Sequence, residues 1–342
     1  MTDTINTIYL EAPGKIAMVR TPTPQKAADQ GLIRVESVGI CGSDIGAYRG
    51  ANPLVTYPRI IGHEVVGTLI EGGTGLPADI KVGDRVIVDP YIYCGHCYPC
   101  SIGRTNCCES LKVIGVHVDG GMREVFAHPA HLLHKVPAGL SAAHIPLAEP
   151  LTIALHALHR TQVKAGEHVA IIGAGAIGLL AALAARTYGA HPILIDIVEA
   201  RLASARAKGV PHTIDASKED VRARLREITK GRMPEVVVEA SGSNKAIRDS
   251  LEYVSFAGRI AFTGWPKQET PLPTNLITLK EIDIRGSRTS AGEFREALQL
   301  LASGTVVADD VISKVIAFDE IPQAVRELSE SPELHLKINA TL

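Results

Sequence analysis

The apolar run Val169 to Ile172 leads directly into Gly173-Ala174-Gly175-Ala176-Ile177-Gly178, which in turn opens a second apolar run ending near Tyr188. A strand, a glycine-rich turn and a helix in that order restrict the fold to a parallel α/β sheet more tightly than any other feature of the chain. Gly173 permits the tight turn, Gly175 lets backbone approach a pyrophosphate, and Gly178 allows close helix–strand packing. Ala176 and Ile177 begin the helix whose amino terminus would face the phosphate. Asp196 closes the next strand, at about the 20-residue offset of the acid that binds adenosine ribose hydroxyls, and an acid there would repel a 2′-phosphate. The reading is NAD in preference to NADP. Arg201 lies nearby and would either stack on adenine or meet a phosphate. The plainer alternative makes the glycines ordinary turn residues and Asp196 a strand-end acid.

The same rhythm continues beyond the fingerprint. Ile193 to Asp196, Ala200 to Lys208, Val236 to Glu239, Ala246 to Val254, Arg259 to Thr263 and Ile282 to Gly286 alternate as strands and helices, with turns at Ser241-Gly242 and Gly264. A doubly wound domain is expected to end near residue 287, and a helix from about Glu293 to Ala302 precedes a terminal segment expected to return to the first domain. Residues 1 to about 150 differ. They carry short β-branched runs such as Leu32 to Val38, Val65 to Ile70 and Arg85 to Val88, separated by Pro and Gly, with no strong helical period before Ile145 to Arg160. That pattern predicts an all-β barrel or sandwich. A chain of 342 residues exceeds the usual single-domain length, so two domains fit.

Charge and hydropathy exclude several classes. A formal net charge of -2 with dispersed charged residues offers no footprint for nucleic acid or an anionic membrane. The apolar run Val169 to Ala185 is shorter than the roughly 20 residues of a spanning helix and is interrupted by glycines. No basic segment followed by an apolar run and a cleavage site opens the sequence, so a cytoplasmic protein is expected.

Five of the six cysteines crowd between Cys94 and Cys108. In a cytosolic chain such clustering points to metal rather than to disulfides. Cys94, Cys97 and Cys100 at two-residue spacing, with Cys108, offer four thiols to one tetrahedral ion; Cys107 and His96 lie in the same segment as substitutes. A closed four-thiolate site has no open position, so its role would be to fold a core-poor loop.

A second, dispersed set comprises Cys41 in Gly-Ile-Cys-Gly-Ser-Asp, Gly62-His63-Glu64, and Glu149 in Ala-Glu-Pro. Mixed thiolate, imidazole and carboxylate ligands suit a catalytic zinc with an exchangeable position. Taken singly, Cys41 reads equally well as a small buried hydrophobe, His63 as a satisfied core histidine and Glu149 as a helix-start acid.

The run Gly62-His63-Glu64-Val65-Val66-Gly67 with Gly73, and then Gly83-Asp84-Arg85-Val86, resembles the signature of zinc-containing medium-chain alcohol dehydrogenases, as does the cysteine lobe. With the nucleotide fingerprint, the resemblance covers essentially the whole chain. Cys41, His63-Glu64 and Glu149-Pro150 are most similar to the sorbitol dehydrogenase and sugar-acid branch. Gly103 to Cys108 and Ile114 to His117 resemble bacterial L-galactonate or L-gulonate 5-dehydrogenases, with threonine 3-dehydrogenase a near relative. The resemblance implies a GroES-like β-barrel catalytic domain over residues 1–150, with a structural zinc lobe at about 90–110. It further implies a Rossmann NAD-binding domain over 151–287, a returning segment over 288–342, and a homodimer or homotetramer paired through an edge of the Rossmann sheet. Two zinc ions per chain, NAD, and a polyol or sugar-acid substrate follow from the same likeness.

On that likeness, zinc held by Cys41, His63 and a carboxylate polarises a substrate hydroxyl, Ser43 takes its proton, and hydride passes to the nicotinamide. Ser43 also reads as a turn serine bonding its own backbone. Glu64 would bind zinc directly when the substrate position is empty or sit behind it, while Glu149 is the stronger candidate for the fourth ligand. Ser287 and Arg288 follow the strand Ile282 to Gly286 and are assigned to the cofactor side; Arg288 would hold the pyrophosphate or a surface acid, or clamp a substrate carboxylate. One departure stands out: relatives place a histidine two residues after the Asp of the Cys-Gly-Ser/Thr-Asp motif, and this chain has Gly46. Two rival readings, a zinc-free quinone reductase and a non-catalytic NAD-binding zinc protein, do not use Cys41, His63 and Glu149.

Overall fold

The computed structural model describes residues 3–332 and 335–342. The chain divides into two compact units, residues 1–149 with 294–342, and residues 150–293.

The second unit is a six-stranded parallel sheet in the spatial order His212–Asp215, His191–Asp196, His168–Ile172, Val236–Glu239, Arg259–Phe262, Asp283–Gly286. Numbered along the chain, that order is three-two-one-four-five-six, the doubly wound arrangement. The central strands are buried along both faces, Val236, Val237 and Val238 completely so, which accounts for their unbroken apolar runs. The helix Ala176–Thr187 packs on the strands His168–Ile172 and His191–Asp196 through a nearly continuous buried series from Gly178 to Ala185. Three elements stand outside the strand and helix pattern described above, although in the second of them Val221, Leu225 and Ile228 recur at the spacing of one helix face. They are the strand His212–Asp215 and the helices Val221–Ile228 and Thr274–Lys280. A capping signal for the second was present: Asp220 accepts from the Ala223 amide at 3.1 Å.

The first unit holds a seven-stranded sheet in which Leu133–Lys135, Arg85–Val88, Glu64–Glu71, Gln30–Ile40, Ile338–Thr341 and Lys314–Ala317 lie side by side, with Val125–Pro129 also paired to Gln30–Ile40. Lys15–Pro22, Thr4–Ala12 and Arg59–Ile60 form a smaller antiparallel sheet. Ile8, Ile33, Val65, Leu69, Val86, Met122 and Leu133 centre a shared core. Gln30–Ile40 bonds three other strands, and the chain's last strand, Ile338–Thr341, runs antiparallel to it. Through this pairing, with Lys314–Ala317 beyond it, residues 294–342 complete the first unit's sheet.

The β-rich expectation for residues 1–150 misses two short helices, Gly42–Tyr48 and Tyr98–Ser101. Neither is long enough to show a 3.6-residue period, and the first is fixed by an acid: Asp44 accepts from the Cys41 amide at 2.9 Å. No helix among the described residues is long and apolar enough to cross a membrane.

Candidate active site and metal centres

In the cysteine lobe, the strand pair Tyr91–Ile92 and Lys112–Val113 closes the segment that carries the thiols. Its apolar support is slight, with Tyr91, Cys108 and Leu111 buried. The Sγ atoms of Cys94, Cys97, Cys100 and Cys108 all lie within 4.8 Å of one another. Four thiolates about 2.3 Å from a tetrahedral zinc stand roughly 3.8 Å apart, so the set fits that ion with small adjustments. Backbone amides already aim at sulfur, Cys94 N at Cys108 Sγ (3.3 Å) and Cys97 N at Cys94 Sγ (3.4 Å), the donors a thiolate needs. His96 is exposed, Cys107 is outside the set, and all six cysteines are free thiols.

The second set is assembled from three places in the first unit. Gln30–Ile40 ends immediately before Cys41, His63 and Glu64 stand at the start of the strand Glu64–Glu71, and Glu149 lies in the first turn of the helix Ala148–Thr161. One ligand atom each from Cys41, His63 and Glu64 falls within 4.8 Å of the others. Asp44 draws the segments together, accepting from the amides of Cys41 (2.9 Å) and Gly62 (3.2 Å) and lying 3.9 Å from His63 Nδ1.

Electrostatics favour a cation at this point. Burial works against a charged His63 ring, yet Cys41, Asp44 and Glu149 outweigh it and hold the imidazole well above its usual range. His63 Nδ1 and Glu64 Oε2 are buried without a hydrogen-bond partner. Buried lone-pair atoms left in this condition fit a metal ion as their missing partner.

Glu149 is buried but lies outside the three-residue group. Tyr91 donates its hydroxyl to Glu149 Oε1, and burial pushes the Glu149 carboxyl up to about 7, assisted by the nearby Glu64 charge and opposed by His63. Ser43 Oγ is buried and unbonded, on the first turn of the helix Gly42–Tyr48. Gly46 follows three residues later; a Cβ there would have only Asn52 Cβ within 4 Å, at 3.8 Å, so the place of the relatives' histidine is open.

In the second unit, Gly173 adopts φ +105° and packs against Ser241, and a Cβ on Gly178 would collide with the Gly173 carbonyl oxygen. A Cβ on Gly175 would meet nothing within 4 Å, leaving that turn's backbone accessible. Asp196 spends its carboxylate on amides: Oδ2 accepts from Ala174 (2.6 Å), and Oδ1 from Ile197 and Val198 (both 2.8 Å). A cavity of about 200 Å³ opens here, bordered by Gly173, Asp196, Ser241, Lys245 and Tyr253. It lies at the carboxyl ends of the strands, where doubly wound sheets take their ligands. Arg201, Ser287 and Arg288 do not line it; Ser287 is buried and Arg288 exposed.

Residues 27–138 match the alcohol dehydrogenase GroES-like domain, and residues 176–303 match the zinc-binding dehydrogenase family. A zinc-type alcohol dehydrogenase-like protein of Haemophilus influenzae is 64% identical over 340 residues, covering 99% of each chain. The chain belongs to the zinc-type medium-chain alcohol dehydrogenase family. This dehydrogenase is also 34% identical to L-galactonate-5-dehydrogenase of Escherichia coli, with 97% of each chain covered. Its fold superposes on an alcohol dehydrogenase of Escherichia coli CFT073, solved in complex with NADH, with a TM-score of 0.93 and 31% identity over 100% of both chains.

Several residues of the dehydrogenase's sites escaped sequence reasoning. Asp44 stood within a quoted motif and could have been found as the acid that caps its own helix. Lys245, paired with Asp249 at the nucleotide cavity, and Tyr91 had no local signal. Lys337 had none either: its ammonium bonds Glu64 Oε1 across 273 residues and donates to the Ile40 carbonyl at 3.0 Å.

Proposed function

We propose that this dehydrogenase uses zinc and NAD to oxidise a secondary alcohol of a sugar acid, an aldonate such as L-galactonate or L-gulonate, or of a related polyol to the ketone. The observation that carries the reading is the convergence of Cys41, His63 and Glu64, with two buried polar atoms unpartnered, in a chain that separately holds a dinucleotide turn. The 34% identity to an L-galactonate-5-dehydrogenase supports the sugar-acid class.

Bound zinc would supply Lewis-acid polarisation of the hydroxyl, and bound NAD the hydride acceptor. Cys41 and His63, with a carboxylate from Glu64 or Glu149, would hold the metal, while Cys94, Cys97, Cys100 and Cys108 hold a second zinc that stabilises the lobe. Ser43 Oγ, buried and without a competing partner, would accept a hydrogen bond from the substrate hydroxyl and, on taking that proton, would release its own toward water. With Gly46 in place of a histidine, that proton has no imidazole to pass to at position 46. Asp44 keeps Cys41 and His63 in register by bonding the backbone on both sides. At the nucleotide turn, the Gly175 backbone and the helix amino terminus bind the pyrophosphate, and Asp196 excludes a 2′-phosphate. We further propose a homodimer or homotetramer formed through Asp283–Gly286, which bonds a neighbour on one side only and leaves a sheet edge open. Free clustered thiols suit a reducing, cytoplasmic setting.

The test is NAD reduction over a panel of aldonates, polyols and L-threonine, together with elemental analysis of the purified protein. Turnover best with an aldonate and close to two zinc ions per chain supports the reading. No turnover across the panel, or one zinc or none, overturns it.

A further inference from the structure

Lys337 is almost wholly buried, with 4% of its side chain exposed, and its partner Glu64 is fully buried. The pair reaches across three strands. Glu64 stands opposite Gly39, and Gly39 opposite Asn339, two residues beyond Lys337. The Glu64 carboxylate occupies the space that a side chain at position 39 would fill, since a Cβ on Gly39 would collide with Glu64 Oε2. Lys337 is anchored a second time, by the carbonyl of Ile40, the residue before Cys41. A single ammonium therefore touches both segments that bring Cys41 and Glu64 together.

Charge makes the arrangement consequential. Cys41, Asp44, Glu64 and Glu149 crowd acidic groups into this interior, and a buried carboxylate needs a cation close by. Glu64 has two cations within reach: the ammonium of Lys337, and a metal shared by Cys41 and His63, whose ligand atoms lie within 4.8 Å of a Glu64 oxygen. Whichever holds the carboxylate decides whether the metal keeps an exchangeable position.

We propose that Lys337 is a positioning residue that holds Glu64 back from the metal at Cys41 and His63, keeping that metal's exchangeable position open to substrate. The inference rests on the metal reading given above and specifies it. With Lys337 replaced by an uncharged side chain, Glu64 loses its ammonium partner, and the carboxylate turns to the metal and takes the position substrate needs.

Cobalt-substituted protein tests this without turnover. The wild type should take up a cobalt whose visible spectrum is absent in Cys41→Ser; if no such cobalt appears, the metal reading itself fails and Lys337 is not the cause. Where it appears, imidazole titration reads the open position and chelator-driven release reads how the metal is held. In Lys337→Met, imidazole should bind about tenfold more weakly and cobalt should leave about tenfold more slowly, the scale of effects seen when groups behind a metal ligand are changed. Lys337→Arg should restore both, and Lys337→Met with Glu64→Gln should recover imidazole binding. Unchanged imidazole binding in Lys337→Met, or faster metal loss, overturns the proposal. Should Lys337→Met fail to fold, Glu64→Gln alone decides: imidazole affinity within a factor of about two of wild type supports a carboxylate already held off the metal, and a gain of about tenfold overturns it.

Discussion

Tyr91 donates its phenolic hydrogen to Glu149 Oε1, tying the strand at the base of the cysteine lobe to the first turn of the helix Ala148–Thr161. Both side chains are buried, so neither can exchange its partner for bulk water. A hydrogen bond to a buried carboxylate contributes about 1.5 to 3 kcal/mol. A double-mutant cycle with Tyr91→Phe and Glu149→Gln, followed by equilibrium denaturation, should return a coupling energy of about 1 to 3 kcal/mol. A value near zero would show that the contact does not organise the site.

The two metal sites should fail differently. Cys97→Ser removes a ligand from a lobe with little apolar core, and structural zinc can contribute roughly 10 kcal/mol of apparent binding energy to folding. That variant should lose one zinc per chain and aggregate or melt early. Cys41→Ser should also lose one zinc and all turnover, yet keep the wild-type circular dichroism spectrum, because the surrounding core of the first unit is large. Matching stability losses in the two variants would contradict the division of roles.

The third glycine of the fingerprint offers a steric test. Because a Cβ at position 178 would strike the carbonyl oxygen of Gly173, Gly178→Ala should destabilise the protein by about 1 to 3 kcal/mol and raise KM for NAD. Gly175→Ala, at a position where a Cβ meets nothing within 4 Å, should cost far less stability. Thermal denaturation and NAD titration of both variants check the contrast.

Coenzyme choice should turn on Asp196. NAD should support turnover at least about tenfold better than NADP, a difference of about 1.4 kcal/mol. Asp196→Ser should shrink that ratio, and it should also lower stability, because the native carboxylate accepts three backbone amides around the turn. A wild-type preference for NADP would assign control to a cation that lines the same cavity, Lys245.

His128 makes stability depend on mild acid. Burial pushes its pKa down to about 3, the bond from Nε2 to the Asp89 carbonyl (2.8 Å) opposing and His131 adding to the shift. The unfolded ring titrates near 6.5, so the unfolded chain binds the proton first as pH falls, and the stability present above 6.5 is lost toward 3. Between pH 7.5 and 5 this residue should cost roughly 2 kcal/mol. Denaturation of wild type and His128→Gln across that range should show the wild type losing about that much more; parallel curves would mean that the native ring titrates as the unfolded one does.

How much of this was legible in the sequence varied with the range of the interaction. Val169 to Gly178, and the Cys94 to Cys108 segment, are written in contiguous residues, because a phosphate turn and a zinc lobe are local objects whose ligands share one loop. The strands Arg85–Val88 and Val236–Glu239 appear at the residues their patterns indicate. The helix Gly42–Tyr48 and the strand His212–Asp215 were hidden, being too short to show a period.

The sequence by itself determined the glycine turn, the clustered thiols, most of the element types and the family. Only tertiary structure decided that Glu64 stands with Cys41 and His63 while Glu149 is drawn to Tyr91, and that Lys337 contests the Glu64 carboxylate. Those outcomes depend on strand register: Gly39 places Glu64 on one side and Asn339 on the other, and a shift of one residue would turn Glu64 to the opposite face of the sheet. Register is set by the packing of the whole sheet, and no window of sequence around Lys337 or Glu64 contains it.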